Sequence, residues 1–338
     1  MKKKDFTFLV LIFFMFAIIV GIPAFAVRSC GVSDERGITG PEKKGQVKKE
    51  GEMTIRVFIN SKNRIEEMLL DDYVKGVVAA EMPANFNIEA LKAQSVAART
   101  YAVKRIIKFG GSGCSLHPGA DICDDPTHCQ GYITRAEMIK KWGIFAFYHF
   151  YSKINQAVNS TKGMVILYNG KPIDPLFHST SGGRTENSED VWGNYIPYLR
   201  SVASPGEEES PKFISVKSIP LSEFIVKLRE KWPDVVIDPK NPEKQMEILE
   251  RSTGGRVKRI RIGNIVAKGS DLRELFELNS ANFTWKRERD EIKFTVLGYG
   301  HGVGMSQYGA NYMAKKGANF VDILKHYYTG VVVQKFYE

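Results

Sequence analysis

Three lysines followed by 22 uncharged residues divide this chain before any other feature does. Lys2, Lys3 and Lys4 precede the apolar run at residues 6–27. As a helix that run spans roughly 33 Å, enough to cross a bilayer. The lysines hold residues 1–5 on the cytoplasmic side, so everything after residue 27 lies outside the cytoplasm. The expectation is a single-pass protein of the cell membrane. Ala24-Phe25-Ala26 resembles a signal-peptidase site, but the run is longer than the usual secretory core, and an uncleaved transmembrane anchor is the preferred reading. Arg28 stands too close to Cys30 for a lipidation box.

Net charge is +10, from 48 Lys+Arg against 38 Asp+Glu. That favours an anionic partner. Outside the cytoplasm the partner is not nucleic acid, and ATP-dependent chemistry is excluded. A wall polymer or an anionic membrane surface remains. No Walker-type glycine loop is present. The chain has 338 residues, long enough for a full core or two subdomains.

Residues 28–52 are rich in Lys, Glu and Gly without an apolar period, and read as a flexible tether. Residues 53–338 form the folded part, expected to be α+β. Thr54–Ile59 alternates as a strand does. Leu70, Tyr73/Val74 and Val77/Val78 then repeat at helical spacing, and Glu81 is the next position on that stripe. Pro83 disfavours helical geometry at Met82, so this helix should stop there. Burial and the negative end of the helix dipole would both raise the Glu81 pKa and keep it protonated as an acid. The segment also permits a rim carboxylate that reaches solvent or a basic partner, and taken alone it favours that second reading.

An alanine-rich helix is predicted over residues 88–107, with Arg99 on a face shared with Leu91, Ser95, Ala102 and Ile106. An arginine there either snorkels or is held against an anion. Residues 205–290 read as an inserted α/β subdomain. It holds a helix near Leu221–Lys231 and an alternating strand at Val257–Ile262. Residues 294–328 read as a strand, a glycine-rich loop and a helix. There is no internal repeat.

Four segments stand out together. They are Ala80-Glu81-Met82-Pro83, the run from Glu89 to Ala102, His178-Ser179-Thr180-Ser181-Gly182-Gly183-Arg184-Thr185, and Gly300-His301-Gly302-Val303-Gly304-Met305-Ser306-Gln307-Tyr308-Gly309-Ala310. In this combination and order the chain closely resembles the stage II sporulation protein D family, which includes sporulation lytic transglycosylases and amidase enhancers. The resemblance covers nearly everything from residue 54 onward. It implies a membrane-bound lyase of the sporulation septum, on the mother-cell side, that cleaves the MurNAc-GlcNAc β-1,4 bond of peptidoglycan during engulfment. It further implies glycan strands freed of their stem peptides, a partner amidase or endopeptidase and a membrane scaffold.

The residues fit that chemistry. One carboxylic acid protonates the glycosidic oxygen. The resulting carboxylate then takes the proton of the C6 hydroxyl, and a 1,6-anhydro ring closes. No water attacks, so the paired carboxylates of the hydrolases are not needed. The resemblance makes Glu81 the acid and Arg99 a second catalytic residue. A buried cation beside Glu81 would lower its pKa. Arg99 is therefore expected to contact substrate, or to balance the carboxylate after proton donation.

Ser179, Thr180, Ser181, Gly182 and Gly183 offer hydroxyls and permissive backbone for sugar. His301, Ser306, Gln307 and Tyr308 would form a second groove wall. Ordinary turn formation and tight helix–strand packing are the competing readings. Trp192, Tyr195 and Tyr198 could stack on sugar rings, with core packing expected for at least one.

His117, Cys123, His128 and Cys129 fall within thirteen residues and suit tetrahedral zinc. A disulfide such as Cys123–Cys129, with Cys114 or Cys30 left over, is the alternative outside the cell. Family members with such a loop hold a structural zinc, which tilts the expectation to metal. No cofactor is expected for catalysis. A zinc or cysteine hydrolase is disfavoured, because these residues crowd one loop. The main rival is a non-catalytic glycan-binding enhancer of an N-acetylmuramoyl-L-alanine amidase.

Overall fold

The apolar stripe forms its helix where the spacing predicts it. Helix α1 is Leu70–Glu81, and Met82 leaves it in an extended conformation with ψ 140° ahead of Pro83. The computed structural model describes residues 53–337. The expected tail, anchor and tether, with Cys30, lie outside the described residues. Among the described residues no helix is long and apolar enough to cross a membrane. The remaining helices are α2 Ile88–Arg105, α3 Arg135–Trp142, α4 Ile144–Ser160, α5 Ser188–Trp192, α6 Leu221–Lys231, α7 Gly269–Leu275, α8 Gln307–Lys315 and α9 Phe320–Tyr327. Several small sheets complete a mixed α/β architecture.

The main core is built round α2. The Asn87 side chain caps it, accepting the Glu89 N–H at 3.0 Å. From Ala90 to Val103 only Lys92 escapes burial. A helix buried all round is a central helix rather than an amphipathic one. Its alanines let α1, α4, α8, α9 and the strand Met164–Tyr168 close on it from different sides. Segments far apart in sequence are tied here. Gln307 Nε2 donates to the Glu81 carbonyl at 3.1 Å, the Asn87 N–H to Asn311 Oδ1 at 2.8 Å, and the Phe320 N–H to Glu89 Oε2 at 2.9 Å.

The hairpin of Thr54–Ile59 and Arg64–Leu69 leads into α1. The short strand Ile122–Cys123 runs parallel beside Val57 and Phe58, which anchors the Cys/His loop against the same sheet.

A second core belongs to the insert. Phe224, Phe276 and Phe294 stack at its centre, with ring centroids 4.9 Å and 5.6 Å apart along the stack. The helix at Leu221–Lys231 and the strand at Val257–Ile262 form as the pattern predicts. The insert reaches beyond the expected residue 290. Strand Glu291–Leu297 pairs with Ile214–Pro220 and Phe283–Glu288, and its Ile292, Phe294 and Val296 face the second core. It therefore closes the insert's own sheet rather than opening the C-terminal segment.

Candidate active site and metal centre

Glu81 ends α1 at the wall of a cleft of about 810 Å³. Its Oε1 accepts the Gly131 N–H at 2.7 Å. A Cβ at position 131 would stand 2.8 Å from that oxygen, so glycine is what allows the backbone to approach the carboxyl. Burial pushes the Glu81 pKa above the usual carboxylate range; the Gly131 N–H and the Lys141 charge oppose this. Lys141 donates to the Ala79 carbonyl at 2.9 Å and the Ala80 carbonyl at 3.3 Å, capping the free carbonyls of the helix end.

Across the cleft stand the exposed rings of Trp192 and Tyr299, with Ser179, His301, Gln307 and Tyr308. His301 Nδ1 accepts the Val303 N–H at 3.1 Å. Burial pulls its pKa down to about 4, so the ring is neutral near neutral pH. Glu81 is the one carboxylate that lines this cleft among the described residues.

The Ser/Gly turn divides between surface and interior. Ser179 lines the cleft, whereas Thr180 and Ser181 are fully buried. Thr180 Oγ1 bonds Ser210 Oγ at 2.7 Å. Ser181 Oγ donates to the buried carboxylate of Glu207 at 2.8 Å, and the N–H groups of Gly182 and Gly183 donate to the same oxygen at 2.7 Å and 3.2 Å. Ser306 Oγ also donates to Glu207 and caps α8. Thr180, Ser181, Gly182, Gly183 and Ser306 thus brace the wall that Ser179, Gln307 and Tyr308 present. Glu207 was not expected. It is one of three consecutive glutamates, Glu207 to Glu209, with nothing local to mark it as buried.

Arg99 departs from its expected place. Its guanidinium is fully buried and holds Asp71 Oδ1 at 2.9 Å, the Thr161 carbonyl at 2.8 Å and the Val158 carbonyl at 3.1 Å. Asp71 lies in the first turn of α1 and Glu81 at its last, about 15 Å along the axis. The anion that Arg99 meets is Asp71, and Arg99 is not among the residues that line the cleft.

The metal cluster also differs by one residue. Cys114, Cys123, His128 and Cys129 place their ligand atoms within 4.8 Å of one another. His128 Nδ1 lies 3.7, 3.4 and 3.3 Å from the sulfurs of Cys114, Cys123 and Cys129. Tetrahedral thiolate and imidazole ligands of zinc stand about 3.6 Å apart, so the four residues fit such an ion. Ser115 Oγ meets His128 Nε2 at 2.9 Å, which suits Nδ1 as the metal-facing nitrogen. His117 is not in the cluster. Its ring stacks flat on Phe58 with centroids 3.7 Å apart, and Cys114 takes its place. The three thiols are free.

Of the aromatic candidates, Trp192 lies in the cleft. Tyr195 is exposed beneath Arg200, with the guanidinium 4.3 Å from its ring. Tyr198 is held inside, its hydroxyl accepting the Asp174 N–H at 3.1 Å.

The model of the "Stage II sporulation protein" family matches residues 59–168, the stretch that contains Glu81, Arg99 and the metal loop. Stage II sporulation protein D of Bacillus subtilis (strain 168) is 41% identical over 88% of this chain and 84% of its own length. That of Bacillus amyloliquefaciens is 40% identical over 85% of this chain and 80% of its own length. The chain belongs to the stage II sporulation protein D family. It is also 29% identical to the amidase enhancer of Bacillus subtilis (strain 168), over 78% of this chain and 40% of the enhancer. In this stage II sporulation protein D homologue helix α1 with Glu81, the Cys/His loop and the end of α4 all fall within the matched region. The opposite wall, at residues 178–192 and 299–308, lies beyond it.

Proposed function

We propose that the chain is a membrane-anchored lytic transglycosylase of the sporulation septum that cuts peptidoglycan strands freed of their stem peptides. One observation carries this reading: a single carboxyl with a raised pKa faces a cleft walled by Trp192, Tyr299 and Tyr308, and no second carboxylate lines that cleft among the described residues. A two-carboxylate hydrolase needs a partner acid at about 5–9.5 Å. A transglycosylase needs only one.

In this reading the two oxygens of Glu81 have different tasks. Oε1 accepts the Gly131 N–H and so stays the unprotonated, carbonyl-like oxygen. The proton sits on Oε2 and passes to the glycosidic oxygen as the C1–O bond breaks. The carboxylate then takes the proton of the C6 hydroxyl, whose oxygen closes on C1 to give the 1,6-anhydro end. Gln307 fixes the backbone at Glu81 through its carbonyl. Mass spectrometry of glycan digested by residues 53–338, with and without Glu81→Gln, tests the reading. The absence of anhydro ends would leave the enhancer reading, which rests on the similarity to the amidase enhancer and uses the same cleft to hold a strand for a partner amidase.

The pH dependence follows from the sign of the Glu81 shift. The acid works protonated, so kcat/KM should fall as pH rises through its elevated pKa. A pH-rate profile whose descending basic limb is absent, or falls no higher than for an ordinary carboxylate, would remove Glu81 as the acid.

The cluster would hold zinc through Cys114, Cys123, His128 and Cys129 as a closed structural site, where the ion supplies a cross-link of the loop. The loop is not remote from the acid. Gly131, which holds Glu81, follows Cys129 by two residues, and Cys129 itself lines the cleft. Chelation is therefore expected to lower the melting temperature and to slow glycan cleavage together. Calorimetry and product release on metal-loaded and chelated protein check this. Chelated protein that melts lower yet cuts at full rate would uncouple the loop from Glu81.

A further inference from the structure

The cleft has a second chamber. About 490 Å³ of space opens beyond Trp192, Arg273, Gly300 and His301, which line both cavities. Its outer wall comes from the insert. Four carboxylates line it, and each already has a cation. Glu186 meets Arg256 at 3.2 Å, Glu189 meets Arg200, and Lys258 lies 3.0 Å from Asp190 and 2.8 Å from Glu250. The cations Arg259, Lys268 and Arg273 line the same chamber, and Lys212 lines the first. None of these four makes an ion pair among the described residues.

Arg273 stands at the junction of the two chambers, half-buried. The one side-chain hydrogen bond it makes among the described residues runs from Nε to the Leu278 carbonyl at 3.4 Å, and its terminal nitrogens have no partner there. Burial, and after it the charge of Arg256, pull its pKa down from the arginine range. A desolvated cation without an anion is costly, and the cost is offset when a ligand brings the anion. Trp192 and Tyr299, 47% and 44% exposed, offer ring faces on the same walls.

We propose that Arg273 binds a carboxylate carried by the sugar chain, so that the cleft selects strands whose muramyl lactyl groups are free acids. The proposal rests on the transglycosylase reading for its substrate. In glycan that bears stem peptides the lactyl carbonyl is a neutral amide. Once the peptide is removed, the same position carries a carboxylate. A guanidinium fork takes a carboxylate through two charge-assisted hydrogen bonds, which an amide cannot match. A strand with amidated lactyl groups also leaves Arg273 unpaired.

The test uses the full-length protein and two substrates: stripped glycan strands, and the same strands with the lactyl carboxylates converted to methylamides. Both cleavage and equilibrium binding are measured. The wild type should favour the acid strands by about tenfold to a hundredfold, the scale of a hydrogen-bonded charge. In Arg273→Gln that ratio should collapse toward one, mainly through KM, and Arg273→Lys should recover part of it. An Arg273→Gln protein that keeps the full ratio overturns the proposal, as does a wild type that cuts and binds both strands alike. Tight binding of a polyglycerol phosphate chain without preference between the strands overturns it in favour of a phosphodiester ligand. A binding preference that depends on Arg273, without cleavage of either strand, supports the proposal and counts against the transglycosylase reading alone.

Discussion

Glu81→Gln should fold normally and cut glycan at least ~100-fold more slowly, the usual scale of general acid catalysis. Glutamine keeps the shape of the side chain and can still accept the Gly131 N–H that holds Oε1. It cannot supply the proton. The change should not lower stability. Native Glu81 holds its proton more tightly than the unfolded chain does, because burial raises its pKa. Its ionisation therefore costs stability as pH rises past the unfolded value, and glutamine has no charge to bury. Thermal melts and anhydro-end release on the same preparation measure both effects. Near-normal turnover in Glu81→Gln would refute the assignment. Asp71, Asp72 and Glu186 do not line the cleft, and each is already paired: Asp71 is held by Arg99, Asp72 by Lys75 at 2.9 Å, and Glu186 by Arg256.

Arg99→Met should cost about 3–5 kcal/mol of folding stability, the range for removing one member of a buried ion pair. The loss is large because one guanidinium satisfies three groups on two elements. Asp71 at the start of α1, and the carbonyls of Val158 and Thr161 at the end of α4, would all lose their partner. Arg99→Lys keeps the charge but not the fork, and should lose less. In both variants the turnover of each folded molecule should stay close to wild type, because Arg99 does not line the cleft and its partner Asp71 lies about 15 Å from Glu81 along α1. Denaturant unfolding together with single-turnover cleavage separates the two effects. An Arg99→Lys protein as stable as wild type but catalytically dead would return Arg99 to the reaction.

What could be read in the sequence was the part fixed by neighbours along the chain. Pro83 marks the end of α1, and the stripe from Leu70 carries Glu81 to the cleft, so the place of Glu81 was legible. The metal loop was legible as a loop but not as a ligand set. Cys114 is brought back by a turn in which its N–H meets the Ala120 carbonyl at 3.0 Å, and that turn sends His117 onto Phe58. Nothing in the spacing separates Cys114 from His117. The Ser/Gly turn had the right chemistry, yet its facing depends on Glu207, which is distant in sequence from the residues it braces. Arg99 was read as a cation seeking an anion, and that is correct in kind. Its partner Asp71 was not legible, because nothing along the chain places the start of α1 against α2. Helices α3 and α4 went unread although a signal was present: Thr134 and Glu137 form a capping box ahead of α3.

The ties from Gln307 to Glu81, from Asn311 to Asn87 and from Phe320 to Glu89 have a bearing on time as well as on place. The acid and the loop that holds it are made early in synthesis. The last helices, which fix the backbone at the acid and complete the facing wall, are made at the end. Contacts of such sequence separation form late in folding. A chain that stopped at residue 168, where the family match ends, would carry Glu81 and the Cys/His cluster without the wall opposite them. A protein arranged this way completes its cleft only when both walls have been made, and a truncated copy carries half a cleft.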